Sequence, residues 1–251
     1  MLIMGILNVT PDSFADGGRH NDFDAAVARG LEMIAEGVDI IDIGGESTRP
    51  GADRVSEAEE IERTIPVITE LAKHGARISI DTMRASTAEA AIKAGASIIN
   101  DVSGGLADPN MLQTAARLQV PYIAMHWRGQ SKDMNSKAIY GDVVSDVISE
   151  LQERISAALD AGIQPGNLII DPGLGFAKEA EHNWKIVDSI DKFVELGYPV
   201  LIGASRKRFL GGESPDEREQ ATIELTKRLA TTGIWAVRVH SVKPHREVLA
   251  Q

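Results

Sequence analysis

The amino-acid sequence predicts an α/β protein in which a single domain, residues 1–251, forms a closed (β/α)8 barrel. Short apolar segments alternate with longer amphipathic segments along the whole chain, and no linker or low-complexity tract interrupts them. Segments that are apolar throughout are typical of parallel strands covered on both faces. Eight of them at regular spacing favour a closed barrel. An open, doubly wound sheet is the alternative, although no dinucleotide-binding fingerprint follows the first strand.

The predicted strands are short runs of mainly apolar residues, each followed by a polar or glycine-rich stretch. In chain order they are Leu2–Leu7, Val38–Ile43, Arg77–Ile80, Ile98–Asn100, Pro121–Met125, Leu168–Ile170, Val200–Ile202 and Ala236–Val239. The longest irregular stretches are 10–21, 44–55 and 126–139, and all three follow predicted strands. In a barrel they would be long loops at the active face.

The segments between the strands carry apolar residues at helical spacing, which predicts amphipathic helices. The two clearest stripes are Phe23, Val27, Leu31, Ile34 and Val38, and Val144, Val147, Leu151, Ile155 and Leu159. Helix starts are predicted by capping boxes at Ser56, Ser86 and Ser214 and by the pair Asp108-Pro109. Helix ends are predicted at Gly75, Gly95, Gly162, Gly197 and Gly233. Pro66 lies inside the second helical pattern and predicts that this helix is kinked or split.

Charge and composition exclude several classes of function. The net charge of -11 argues against a nucleic-acid partner, which would favour a basic face. The chain has no cysteine, so disulfides, thiolate catalysis and cysteine-ligated zinc are excluded. The first ten residues are apolar but lack a basic region and are too short for a membrane span. We therefore expect a cytoplasmic enzyme that acts on small molecules, with neither nucleic acid nor membrane as a partner.

Polar residues stand at the carboxyl end of every predicted strand, where the strands of a barrel share one rim. They are Asn8, Asp42, Asp81, Asn100 with Asp101, His126, Asp171, Ser205 with Arg206 and Lys207, and Arg238 with His240. A single such residue is commonly a turn or capping residue, but eight polar ends that converge indicate a binding site.

The chemistry of these residues separates into two groups. Asp81, Asn100, Asp171 and Lys207 offer acceptors, an amide and a cation, which suit the donor–acceptor edge of a flat heterocycle. Arg49, Arg238 and His240, together with Asn8, resemble an anion clamp, and the oxygen of Asn8 could ligate a hard divalent cation. The basic run at 206–208 follows the seventh strand, where barrels frequently bind phosphate.

Other chemical signals are weaker. The histidines at positions 20, 74, 182 and 245 fall in helices or loops and are interpreted as solvated surface residues. The six histidines show no metal-ligand spacing. Neither a nucleophile elbow nor a phosphate-binding Walker loop is found in the sequence.

At the predicted strand ends, the sequence resembles the dihydropteroate synthases, a pterin-binding TIM-barrel family. The matching motifs cover the chain in order and several are individually specific. They are GILNVTPDSFADGG at 5–18, GGESTRPGA at 44–52, SIDT at 79–82, NDVSGG at 100–105, MHWRG at 125–129, DPGLGFAK at 171–178, GASRKRFLG at 203–211 and RVH at 238–240.

The resemblance implies a role for each matching residue. The catalytic set is Asp12, Arg49, Lys207, Arg238 and His240. The pterin would be bound by Asp81, Asn100, Val102, Met125, Asp171, Gly203, Lys207 and Arg238. The pyrophosphate would be bound by Asn8, Arg49 and His240, and 4-aminobenzoate by Thr48, Pro50, Phe176 and Ser205. Asn8 would also ligate Mg2+ as the cofactor.

The implied reaction joins 6-hydroxymethyl-7,8-dihydropterin pyrophosphate to 4-aminobenzoate in folate biosynthesis, and the implied assembly is a homodimer that sulfonamides inhibit. Two alternatives share the pterin pocket, namely a pterin-dependent methyltransferase barrel and a catalytically silent pterin-binding paralogue. Two departures concern the edge of the site. Ser241 follows His240 where an acid is expected in many members, and the segment 212–219 is short.

Overall fold

A computed structural model shows an eight-stranded parallel barrel in the described residues 1–10, 18–46, 54–130 and 134–250. The strands are β1 (Leu2–Asn8), β2 (Ile40–Gly44), β3 (Ile78–Asp81), β4 (Ile98–Asp101), β5 (Tyr122–Met125), β6 (Leu168–Asp171), β7 (Leu201–Ile202) and β8 (Ala236–Val239). Their order in the sheet is β6-β5-β4-β3-β2-β1-β8-β7. A parallel bridge between Ile170 and Val200 joins β6 to β7 and closes the barrel. The predicted barrel is confirmed, with each strand within two residues of its predicted bounds.

Helices surround the barrel and follow the strands in alternation. They are α1 (Gly18–Ala35), α2 (Glu57–Lys73), α3 (Ala85–Ala94), α4 (Met111–Leu118), α5 (Val143–Asp160), α6 (Ala180–Asp188), α7 (Ile190–Val194), α8 (Glu217–Leu229) and α9 (Lys243–Leu249). Both predicted apolar stripes face the strands, because their residues belong to or pack against the core between helices and barrel. Within the described ranges, no helix has the length and apolar character that a bilayer-spanning segment needs.

The predicted helix boundaries are confirmed at some positions and wrong at others. Ser56 caps α2 by accepting a hydrogen bond from the amide of Glu59. Ser214 accepts one from the amide of Glu217, but it is not the cap of α8, which begins at Glu217 with Asp216 as its N-cap, two residues after the start that a cap at Ser214 predicts. The capping box at Ser86 is wrong, because α3 begins at Ala85, whose amide donates to Asp108 Oδ2 at 2.8 Å.

Two further boundary predictions need correction. Asp108 accepts from the amide of Asn110 at 2.9 Å, and α4 begins only at Met111, two residues after the predicted first position at Pro109. Pro66 does not split α2, which is continuous from Glu57 to Lys73 with that proline inside it. The five predicted stop glycines all have positive φ, as a helix end in the left-handed region requires.

The interior of the barrel is divided into an apolar and a polar layer. The lower layer is a cluster of buried side chains contributed by seven of the strands, namely Met4, Ile40, Ile98, Ile123, Ile169, Leu201 and Ala236. Side chains of a strand alternate between its faces, so residues two positions further along each strand also point inward. The register pairs Asp42 with Ser79, Asp81 with Asn100, and Met125 with Asp171. The apolar layer therefore supports a polar layer at the carboxyl ends of the strands.

Candidate active site

A buried cluster of charges spans the barrel at its carboxyl rim. Arg238 of β8 donates from Nε to Asp42 Oδ2 and from a terminal nitrogen to Asp81 Oδ2, both at 2.6 Å. The amide of Asn100 donates to the same Asp42 oxygen at 3.0 Å. Asp42 is fully buried, and Asp81 and Asn100 are nearly so. One guanidinium on β8 thus connects carboxylates of two other strands, β2 and β3.

The electrostatics of the rim follow from burial with opposite charges close by. Burial raises the pKa of Asp81, and Arg238 opposes that rise. Burial also raises the pKa of Asp171, against the opposing effect of Lys207. The pKa of Lys207 is lowered by burial to about 8, which Asp171 partly counteracts. Burial disfavours the charge on Arg238, but Asp42 and Asp81 keep its pKa above the ordinary value. Perturbed groups gathered in one concave rim are typical of a functional site.

Asp171 and Lys207 approach each other from neighbouring strands. Asp171 Oδ1 accepts from the amide of Gly173 at 2.7 Å, while the other oxygen faces Gly203, at which a Cβ atom would lie 3.8 Å away. The ammonium of Lys207 donates to the carbonyl of Leu174 and lies 4.5 Å from the centre of the Phe176 ring. Gly203 therefore leaves the second Asp171 oxygen open to a ligand.

An apolar patch lies next to these charges. Met83, Val102 and Met125 form a buried cluster of their own, and Phe176 packs against it. The cluster brings Val102 and Met125 together, as expected of two residues assigned to one pocket, and it adds Met83. A flat ring system with one polar edge would match an apolar wall beside a row of buried polar groups.

The mouth of the site carries Asn8, Ser205 and His240. A Cβ atom on Gly44 would lie 3.8 Å from Asn8 Oδ1 and 3.6 Å from Asp81 Oδ2, so the two oxygens flank that glycine. Ser205 Oγ lies 2.9 Å from Nδ1 of His240 and accepts from its backbone amide at 3.1 Å. This links the loop after β7 to the end of β8.

Four predicted site residues, Asp12, Thr48, Arg49 and Pro50, lie outside the described residues. The described residues on either side of 47–53 are connected by an ion pair and a hydrogen bond to Glu46. Arg54 pairs with Glu46 at 3.0 Å, and the amide of Val55 donates to the same carboxylate at 3.2 Å. Arg84 also binds Glu46, at 2.9 Å, and it binds the buried Glu60 of α2.

Several rim residues have a structural role that the sequence did not reveal. Asp101 is buried and accepts from the amides of Ser103 and Gly105 and from the hydroxyl of Tyr122, so it shapes the loop after β4. His126 points away from the rim toward Lys178 and Glu150.

The interpretation of His245 as a surface residue is wrong, because this histidine is fully buried and bonded to Thr226.

Among the other histidines, His74 is exposed as expected. His182 is half-buried, and its ring accepts the backbone amide of Glu179 at 3.2 Å. Asp42 is the residue at the centre of the site to which the sequence assigned no role. Its polar side chain near the end of an apolar strand was the only feature of the sequence that pointed to a role in the site.

The described residues do not contain a cluster of side chains that could by itself hold a metal ion. No group of three or more His, Cys, Asp or Glu side chains among them is arranged to hold a metal ion. The oxygen of Asn8 lies at the mouth beside Gly44 and Asp81 Oδ2, and one amide oxygen suits a cation whose remaining ligands are substrate oxygens and water. Mg2+ commonly binds in this way, with few protein ligands.

A parallel barrel with buried carboxylates, an amide and two cations at its rim, beside an apolar wall, defines a pterin-binding enzyme. A family model described as "Pterin binding enzyme" matches residues 4–240. Dihydropteroate synthase of Mycobacterium leprae is 48% identical over 98% of this chain and 90% of its own length. The Bacillus subtilis enzyme is also 48% identical, over 96% of this chain and 84% of its own length. The chain belongs to the dihydropteroate synthase family of pterin-binding enzymes.

Solved structures agree with this assignment. Xanthomonas albilineans dihydropteroate synthase with 4-aminobenzoic acid is 44% identical, with a TM-score of 0.93 over 99% of this chain and 90% of that one. The same enzyme in complex with 7,8-dihydropteroate is 40% identical, with a TM-score of 0.90 over 99% and 91%. The Yersinia pestis enzyme in a sulfonamide complex is 38% identical, with a TM-score of 0.93 over 99% and 92%.

Proposed function

We propose that this protein condenses 6-hydroxymethyl-7,8-dihydropterin pyrophosphate with 4-aminobenzoate to give 7,8-dihydropteroate and pyrophosphate, a step of folate biosynthesis. The observation that carries the proposal is the rim cluster in which the buried Asp81, Asn100 and Asp171 meet the partly buried Lys207 and Arg238. The complexes of relatives with 4-aminobenzoic acid and with 7,8-dihydropteroate support the two halves of the reaction.

The pterin is placed against the rim by complementary hydrogen bonding. A carboxylate that accepts two adjacent N–H groups matches the aminopyrimidinone edge, and Asp171 has one oxygen directed toward Gly203 for this purpose. Asn100 and Lys207 supply donors for the ring acceptors. Val102 and Met125 cover one face of the ring, and the guanidinium plane of Arg238 lies over the other.

The reaction breaks the bond between the exocyclic methylene carbon and the pyrophosphate oxygen and forms a bond from that carbon to the amine nitrogen. The leaving pyrophosphate takes the bonding electron pair, and the amine loses one proton. Arg49 and His240 are assigned to the pyrophosphate oxygens, where positive groups stabilise the charge that develops. The dihydropterin can delocalise positive charge at the methylene carbon, so a dissociative path does not need a strong base to activate the amine. Asp12 is assigned to ordering the loop that excludes water.

Asn8 is proposed as the protein ligand of Mg2+. The position of the Asn8 amide oxygen beside Gly44 at the mouth supports this assignment, and bound Mg2+ would supply charge neutralisation of the pyrophosphate. Product formation is therefore expected to stop in excess EDTA, and Asn8→Ala to raise the Mg2+ concentration needed for half-maximal rate. Full activity with EDTA would remove the metal from the proposal.

The 4-aminobenzoate is placed between Phe176, Ser205 and the two residues Thr48 and Pro50. Phe176 supplies an aromatic face beside the pterin wall, and the Ser205 hydroxyl is held by His240 at the mouth. Sulfonamides resemble 4-aminobenzoate, and the sulfonamide complex of a relative supports competition at this position. Competitive inhibition against 4-aminobenzoate is the expected kinetic pattern.

We propose further that residues 1–251 form one domain and that the protein acts as a cytoplasmic homodimer. The uninterrupted strand order supports the single domain. Sedimentation of the purified protein is expected to give about twice the monomer mass of 27.0 kDa, and a monomer at micromolar concentration would overturn the dimer.

Release of pyrophosphate tests the main proposal. We expect release from the pterin pyrophosphate that depends on 4-aminobenzoate and gives dihydropteroate in equal amount. A methyltransferase barrel would bind the pterin without releasing pyrophosphate, and a silent paralogue would bind it without any turnover. Either result would replace the synthase reaction.

A further inference from the structure

The turn formed by residues 173–178 carries Phe176 from β6 toward α6, and side chains hold its carbonyl groups. Lys178 donates to the carbonyls of Gly173 and Phe176, both at 3.1 Å. Tyr140 donates to the carbonyl of Ala177 at 2.9 Å, and Lys207 donates to that of Leu174. Ala177 has a φ of 47°, which a residue with a Cβ adopts only when its surroundings enforce it.

Lys178 stands at the centre of this turn. The side chain is buried, and its three N–H groups have three acceptors, the third being Nδ1 of His126 at 2.9 Å. Burial lowers the pKa of Lys178 to about 7, and Asp171 opposes the decrease. An ammonium with all of its donors directed at the turn and at one imidazole acts as a cross-link between them.

His126 continues the chain of hydrogen bonds. The ammonium form of Lys178 has no acceptor, so Nδ1 accepts from it, and Nε2 carries the hydrogen and donates to Glu150 Oε2 at 2.9 Å. Burial lowers the pKa of His126 to about 4, so the ring is neutral near pH 7, as this arrangement requires. Glu150 lies on α5, where its carboxylate also binds Arg128 at 3.1 Å.

We infer that Lys178, His126 and Glu150 are positioning residues that hold Phe176 in place as a wall of the 4-aminobenzoate pocket. The chain runs from the surface helix α5 through a buried imidazole to the backbone of the Phe176 turn. This role rests on the proposed placement of 4-aminobenzoate against Phe176. None of the three side chains needs to contact either substrate, because they act through the backbone of the turn.

Two substitutions of His126 distinguish positioning from proton transfer. A Gln side chain offers one acceptor and one donor, which reproduces both hydrogen bonds but carries no transferable proton near neutral pH. His126→Gln is therefore expected to keep the KM for 4-aminobenzoate within about threefold of wild type, whereas His126→Leu should raise it roughly tenfold. If His126→Gln loses as much activity as His126→Leu, the chain carries a proton and the positioning role is wrong.

Lys178→Met retains the aliphatic stem and removes the donors, and we expect roughly a tenfold rise in the KM for 4-aminobenzoate. The dissociation constant of the pterin pyrophosphate alone, measured by calorimetry, should change by less than about threefold. Lys185→Met on the exposed face of α6 is the matched control and should leave both constants unchanged. If Lys178→Met does not fold, Glu150→Leu is measured in its place, because Glu150 is one-third exposed and its loss leaves no buried cavity.

Phe176→Ala separates failure of this inference from failure of the proposed function. No change in the KM for 4-aminobenzoate in Phe176→Ala would show that the pocket lies elsewhere. A rise in Phe176→Ala together with no rise in Lys178→Met or Glu150→Leu would leave the pocket in place and overturn the positioning role alone.

Discussion

Asp42 shows how one buried residue organises the site without a place in the expected ligand set. It accepts from both Arg238 and Asn100, which are assigned to the pterin, and so sets the position of each. An unpaired buried carboxylate would be costly, and these two donors, which both bind Oδ2, offset part of that cost. The side chain thus links, from opposite sides of the barrel, two residues that are assigned to the pterin.

Asp171→Asn is expected to weaken pterin binding about tenfold or more. The variant places a donor where an acceptor should face the ring N–H groups, and a mispaired buried polar group costs roughly 1–3 kcal/mol. Calorimetry with the pterin pyrophosphate measures the effect. Asp188→Asn is the control, since Asp188 is exposed and pairs with Arg228 on the surface. Unchanged affinity in Asp171→Asn would remove this residue from the pterin site.

Lys207 gives the reaction a predicted pH dependence. Burial lowers its pKa to about 8, so the ammonium is charged below that pH and neutral above it. The value of kcat/KM for the pterin pyrophosphate should therefore be highest below pH 8 and fall as the pH rises through it. Lys207→Arg keeps its charge, and its decline should move beyond the measured range. A decline at the same pH in the arginine variant would assign it to another group.

The sequence predicted most of the polar residues that the structure gathers at the rim but not their partners. Asp81, Asn100, Asp171 and Arg238 were candidates because each stands at or near the end of an apolar run, and Lys207 because it belongs to the basic run after the seventh strand. The pairing of Arg238 with Asp42 joins residues 196 positions apart, and only the closure of the barrel brings them together. His126 satisfied the same strand-end criterion and yet points outward, because its backbone lies one residue beyond β5.

At the level of elements, the sequence predicted a helix start correctly where the capping residue is close in sequence to the amide that it binds. Ser56 caps α2 through its own third neighbour, as the capping box predicts. Helix α3 begins instead at Ala85, because Asp108 from a different loop accepts the first amide. A residue 23 positions away cannot be recognised as a cap from spacing alone. Tertiary contacts therefore determined the boundaries that the sequence patterns missed.

Pro66→Ala is expected to stabilise the protein by about 1–2 kcal/mol. A proline inside a helix costs roughly 3 kcal/mol relative to alanine, and the greater freedom of the unfolded alanine chain returns about 1 kcal/mol of that gain. Pro66 is exposed, and α2 is continuous around it. Urea denaturation measures the change, and kcat should be unaffected. A decrease in the free energy of unfolding would show that the helix accommodates the proline without cost.

At the scale of the whole molecule, the contact between β6 and β7, called the seam below, is the weakest pairing of neighbouring strands in the barrel. Strand β7 has only two residues, and it meets β6 through the single bridge between Ile170 and Val200. The other neighbouring strand pairs share two to five register positions. The seam also lies between Asp171 and Gly203, the two residues placed on either side of the pterin edge.

Pterin binding is expected to protect this seam more than the rest of the barrel. Ligand at 100 times its dissociation constant adds about 2.7 kcal/mol to the stability of the folded state. Hydrogen exchange should slow most at the amide of Ile170, which bonds across the seam to the carbonyl of Pro199. Mass spectrometry of exchanged peptides with and without the pterin tests this. Equal slowing at β3 and β4 would indicate that the ligand does not act on the seam.

The strand order has a consequence for synthesis on the ribosome. Strands β1 to β6 pair with their neighbours in sequence, so they can associate while the chain is still emerging. One edge of β1, however, pairs only with β8, through Leu2 with Ala236 and Ile3 with Val237. Until residues 236–239 leave the exit tunnel, this apolar strand presents an open backbone edge, the kind of surface that captures other chains. Nascent chains stalled before β8 should therefore be the species most in need of chaperones.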